Sequence, residues 1–178
     1  AEDGIRDRLV TGVQTCALPI YVYFLGNLIW FFTGGIILGT MYLVFAIIFF
    51  PLLPFLLPLI GYVYLPFGRR PVSKSLIDAY KEDNDLSVDT GSFPQASSFV
   101  RFIANFIWML LPGCLLAIAH FIVALTSLFL CLSLIGIPIF LPMALANFKM
   151  INVAFRPFGV VIIFNSLADD IEKSAEIN

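Results

Sequence analysis

Two long apolar blocks and the polar stretches beside them organise this chain. From Tyr21 to Phe67 there is no Asp, Glu, Lys, Arg or His, and from Phe102 to Phe148 the only such side chain is His120. A helix needs roughly 20 apolar residues to cross about 30 Å of hydrocarbon. Each block is therefore long enough for two crossings, or for one crossing and a re-entrant or interfacial piece. Lipid offers the backbone no hydrogen bonds, so the blocks must be mainly helical, and strand-like alternation is absent. The pattern predicts an all-α integral membrane protein with about four transmembrane or re-entrant helices in two related halves.

The halves open and close alike. Gly26-Asn27-Leu28-Ile29-Trp30 is answered by Ala104-Asn105-Phe106-Ile107-Trp108, and Pro66-Phe67-Gly68 by Pro157-Phe158-Gly159. Each half also carries a proline break, at Pro51, Pro54 and Pro58 in the first and at Ile135-Gly136-Ile137-Pro138 with Pro142 in the second. Proline removes a backbone donor and bends or ends a helix. Two crossings per half give four in all, and the competing arrangement has the second segment of each half re-enter the membrane. Gly34, Gly35 and Gly39 offer a small-residue face for helix packing.

Composition agrees with this class. Hydrophobic residues make up 60% of the chain, charged residues 12%, and the mean hydropathy is +0.98, far outside the soluble range. Ala1–Ile20 has neither the apolar core nor the cleavage site of a signal peptide. Ala1–Asp7 and Val10–Ile20 back-translate to the two constant parts of an indexed sequencing adapter, with Arg8 and Leu9 in the place of the index. This segment is expected not to belong to the protein, whose own start would lie upstream of Tyr21. Without it Cys16 is a scar, and removing Glu2, Asp3, Asp7, Arg6 and Arg8 takes the net charge from −2 to −1. Cys114 and Cys131 then remain, both within apolar sequence and without C-x-x-C spacing, and are expected to be buried and inert.

The expected organisation is residues 21–68 as the first membrane half, 69–101 as a linker, 102–163 as the second half and 164–178 as a polar tail. Within the linker, Pro71–Tyr80 is predicted to form a short amphipathic helix, and Lys81–Ser98 to be a flexible polar loop. Asp78, Glu82, Asp83, Asp85 and Asp89 lack the spacing of a calcium loop. Arg69, Arg70, Lys74, Lys81 and Arg101 flank the linker, and Arg156 and Lys173 the C-terminus, so both are predicted to be cytoplasmic.

Candidate functional residues are few. Lys149, Asn152 and Arg156 would share a helix face that either binds lipid phosphates and lines an aqueous path or, as the favoured reading, marks an interface where cations snorkel. His120 is an ionisable group inside an apolar span and a candidate for proton transfer. With no carboxylate in either block, a neutral ring bonded to a carbonyl, to Thr126 or Ser127, or to another subunit is favoured. Asn147 and Asn152 are the candidates for a polar site between the halves. Asn27 and Asn105 read as helix caps, and Trp30 and Trp108 as members of an aromatic belt. No catalytic, cofactor or metal constellation is present, and no basic stripe suits nucleic acid.

Taken as a set, Asn27 and Trp30, Asn105 and Trp108, Ile135-Gly136-Ile137-Pro138, Ala146-Asn147-Phe148-Lys149, and the closing Pro66-Phe67-Gly68 and Pro157-Phe158-Gly159 resemble the YccF family of small bacterial inner-membrane domains. The resemblance covers about Gly26–Arg70 and Ile103–Val161. The first copy lacks Ile-Gly-Ile-Pro and a charged helix, and the linker is longer than the family pattern suggests. What the resemblance implies is a bacterial inner-membrane location without an established biochemical activity. The expected role is a non-enzymatic component that touches the bilayer, lipids or other membrane proteins. The alternative is a self-assembling channel or small transporter, a homo-oligomer using His120 and the glycines. A lipid-modifying enzyme would need acid–base groups the sequence lacks.

Overall fold

The computed structural model describes residues 21–84 and 98–177. The expectations for Ala1–Ile20 and for the acidic loop beyond Asn84, Asp85 and Asp89 included, fall outside those residues. Helix α1 (Tyr21–Ile48) and the shorter apolar α2 (Phe50–Tyr64) form one hairpin. Strand β1 (Arg69–Ser73) and helix α3 (Lys74–Asp83) follow. Helices α4 (Phe99–Leu130) and α5 (Ile137–Phe155) form a second hairpin, and strand β2 (Val160–Phe164) and helix α6 (Asn165–Ile177) close the chain. By length and composition α1, α4 and α5 could each cross a bilayer, whereas α2 is only about 22 Å long.

The prolines act where the sequence places them. Phe49 leaves helical geometry (φ −98°, ψ 52°), Pro51 sits in the 3-10 turn Phe50–Leu52 that opens α2, and Pro54 occupies the first turn of its α-helical part, Leu53–Tyr64, where a missing N–H costs nothing. In the second hairpin, Gly136 caps α5 and Pro138 occupies its first turn. A Cβ on Gly136 would lie 2.4 Å from the Leu130 carbonyl oxygen, so only glycine fits that junction. Pro58 and Pro142 are carried inside α2 and α5.

Each hairpin begins and ends at one place. The Asn27 side chain donates to the Phe67 carbonyl (3.0 Å) and accepts from the Phe67 N–H (2.9 Å). Asn105 makes the same two bonds to Phe158, at 2.7 and 3.0 Å. Both asparagines lie beyond the first turn of their helices, so they clasp the hairpin base rather than cap a helix. Gly68 (φ 90°) and Gly159 (φ 133°) then turn the chain through the left-handed region, which only glycine enters cheaply.

Beyond these glycines the two bases are joined. Strands β1 and β2 pair antiparallel from Arg69↔Phe164 to Ser73↔Val160. The ribbon is extended by Lys74 N–H to Gly159 and Asn165 N–H to Gly68. The all-α expectation therefore omits one small ribbon. The β-branched run Val160–Ile163 favours a strand, and the residues expected to form a polar tail are helical in α6. Pro71–Ser73 are strand rather than helix because Ser73 is itself the N-cap of α3, its hydroxyl accepting from the Leu76 N–H at 3.3 Å.

The layers follow from which residues are buried together. Val160 and Ile162 pack against the core of the hairpins, whereas Val72 and Ile163 form a second core with Ile77 of α3 and Ala168 and Ile171 of α6. The ribbon thus lies between the hairpins and a charged outer layer, where Arg70 bonds Asp169 and also reaches Glu172 at 3.3 Å. The outer faces of the hairpins are apolar, with Ile37, Leu111, Phe129 and many like them exposed.

Candidate functional site

The interior of the hairpins is tied together by a few polar contacts. Trp30 and Trp108 are fully buried instead of forming a headgroup belt. The Trp30 indole N–H donates to the Val63 carbonyl at 2.8 Å, and that of Trp108 to Ala154 at 2.9 Å. Carbonyls in the last turn of a helix have no intrahelical partner, and the two indoles supply one each. Immediately after each tryptophan the helix widens into a π turn, Phe31–Gly35 and Met109–Gly113. The last glycine of each turn leaves room for the ring: a Cβ on Gly35 would lie 2.7 Å from Trp30 Cδ1, and one on Gly113 would lie 3.2 Å from Trp108 Cδ1.

The glycine face is consumed inside the chain. Gly39 is filled by the Tyr64 ring, which would approach an added Cβ to 2.5 Å, and Gly34 faces Val123. Tyr64 also shares a hydrogen bond with Thr40 at 3.1 Å. The Gly35–Gly39 pair therefore packs α1 on α2 and is not a free subunit contact.

His120 is fully buried in α4, and its partners differ from those expected. Thr126 and Ser127 bond their own helix at Ile122 and Val123. The His120 ring instead spans between Asn147 of α5 (Nδ1 to Oδ1, 2.9 Å) and Tyr42 of α1 (Nε2 to the hydroxyl, 3.3 Å). Asn147 donates its amide to the Met143 carbonyl at 3.0 Å, which leaves its oxygen as the acceptor. The proton of a neutral imidazole is then on Nδ1, and Nε2 accepts from the Tyr42 O–H. Of the two asparagines proposed for a polar site, Asn147 belongs to this triad and Asn152 is exposed. Tyr42 went unnoticed in the sequence although it is separated from His120 by the spacing that separates Trp30 from Trp108.

The remaining candidates lie apart. Lys149, Asn152 and Arg156 are exposed on one face of α5, and neither cation forms an ion pair with a described residue. At the corresponding places before the first Pro-Phe-Gly stand Pro58, Gly61 and Leu65, also exposed, so the fold itself does not demand a polar stripe there. Cys131 is partly buried, and Cys114 is exposed on the apolar face of α4 rather than buried. Among the described residues no three His, Cys, Asp or Glu side chains gather in a metal-like group.

Hairpins with exposed apolar faces, three of whose helices are long and apolar enough to cross a bilayer, define a helical membrane protein. Residues 103–160 match the family model of the YccF inner membrane component domain. The matched segment takes in Asn105, Trp108, the Ile135–Pro138 junction, Ala146–Lys149 and the closing Pro157–Gly159. No curated protein and no solved structure matches the chain.

Proposed function

We propose that this protein is a non-enzymatic inner-membrane component that acts by binding lipids or other membrane proteins. The observation that supports this most is the state of His120. Buried, with both ring nitrogens partnered inside one chain, it has no free nitrogen to offer to an aqueous path or to another subunit. The glycines that would serve a self-assembled pore are likewise occupied by Tyr64 and Val123. The recurring clasps, indole bonds and π turns favour reading the first hairpin as a diverged second copy of the matched domain. Exposed Lys149 and Arg156 suit the phosphates of an anionic leaflet. The linker and C-terminus are assigned to the cytoplasm by their Lys and Arg content.

The test is the mass of the protein in lipid nanodiscs together with ion flux from proteoliposomes. A monomer or dimer without flux is the expected result, and a discrete ring that conducts would overturn the reading. Orientation has its own test. A cysteine at exposed Ser75, introduced with Cys16, Cys114 and Cys131 changed to Ser, should react with a membrane-impermeant maleimide only after the cells are opened. Reaction in intact cells would place α3 outside.

A further inference from the structure

The packing of the hairpins on one another fixes how they meet the bilayer. From Trp30 to Phe49 is about 28 Å of helix, so Phe49 marks the tip of the first hairpin and Trp108 the base of the second. Yet their rings stand 6.2 Å apart. Conversely, Thr33 near the base of the first hairpin lies 3.7 Å from the Met143 sulfur, in the tip half of α5, and Gly34 faces Val123 towards the far end of α4. The hairpins therefore run head to tail. Their bases are joined by the ribbon, which is about 20 Å long and packs along the hairpin core through Val160 and Ile162.

A hairpin whose tip returns to the neighbouring base cannot also carry that tip about 30 Å away from the charged layer. The composition of the tips agrees. Phe50 is 70% exposed at the first, and Leu132, Leu134 and Ile135 are 79–85% exposed at the second, with no charged residue in either turn. Turns emerging into water on the far side of a membrane would not present such a surface. We infer that both hairpins are re-entrant: they enter and leave through the face that carries the ribbon, slanting across one another within the leaflet beneath α3 and α6, and their partner is the acyl region of that leaflet. This rests on the reading of the chain as a membrane component and not on its being non-enzymatic.

The experiment uses single cysteines in the full-length chain at Ser75 in α3, Ser166 in α6 and Ser133 in the second tip, probed with impermeant maleimide in right-side-out and inside-out vesicles. Because α3 starts at the base of the second hairpin and α6 at that of the first, Ser75 and Ser166 report both bases. Both should react from one side, and Ser133 should not react from the other. A cysteine pair at Gly34 and Val123 should form a disulfide in the native membrane, which confirms the head-to-tail packing there. Reaction of Ser133 from the side opposite Ser75, reaction of Ser75 and Ser166 from opposite sides, or absence of the disulfide would each overturn the inference. Extraction of the protein by alkaline carbonate would instead overturn the membrane reading beneath it, so the two failures are told apart.

Discussion

Trp108→Ala should be among the most destabilising single substitutions in this protein, lowering stability by about 3–5 kcal/mol. The ring is fully buried and makes edge-on contacts with Phe158 (6.1 Å) and Phe49 (6.2 Å), so its loss opens a cavity between the two hairpins. In a bilayer this penalty comes mostly from lost packing, since lipid is as apolar as the core. Trp108→Phe should cost less, about 1–3 kcal/mol, because it keeps most of the ring volume and orphans only the Ala154 carbonyl. Thermal unfolding in one fixed detergent measures both. Equal stability of Trp108→Ala and the wild type would mean that the indole is not the post that holds α4 on α5.

This ranking was only partly legible in the sequence. Two charge-free blocks announce membrane helices because ionisable groups in hydrocarbon are expensive, and Ile135–Pro138 and Pro157–Gly159 announce turns because Gly and Pro have few other uses there. Which way a tryptophan points is not written in hydropathy, since a ring at the headgroups and a ring in the core occupy the same kind of position. The bond from Trp108 to Ala154 spans a whole hairpin, and the clasp from Asn105 to Phe158 spans more, so neither is visible within a local window. For the same reason Val160–Ile163 read as the end of a membrane segment. An apolar β-branched run becomes a strand only when a partner such as Arg69–Ser73 is present to pair with it.

The tips of the hairpins teach the complementary lesson. The residues from Cys131 to Gly136 were visible as uncharged, and a turn without charge is weak evidence for either a buried loop or a re-entrant one. What gives it weight is position, because the first tip meets the opposite base at Trp108 rather than open solvent on a far side. Length alone would let α4 cross the bilayer; the ribbon and the head-to-tail contacts constrain it.

Asn147→Leu should destabilise the protein by about 1–3 kcal/mol, and His120→Leu combined with Asn147→Leu should cost less than the two single changes added together. The single change leaves the His120 Nδ1–H buried without an acceptor, whereas the double change removes the donor as well. The Tyr42 hydroxyl then loses its partner, so full recovery requires Tyr42→Phe in addition. Interhelical hydrogen bonds in membranes are often worth under 1 kcal/mol, which sets the lower end of the expected range. The cycle is measured by thermal unfolding of the four variants in the same detergent. Strict additivity would show that the histidine does not depend on the asparagine and would reopen a proton-transfer role for it. A favourable interaction energy, with membrane insertion intact in every variant, identifies the His120–Asn147 pair as a polar tie within the second hairpin, α4 supplying the ring and α5 the amide.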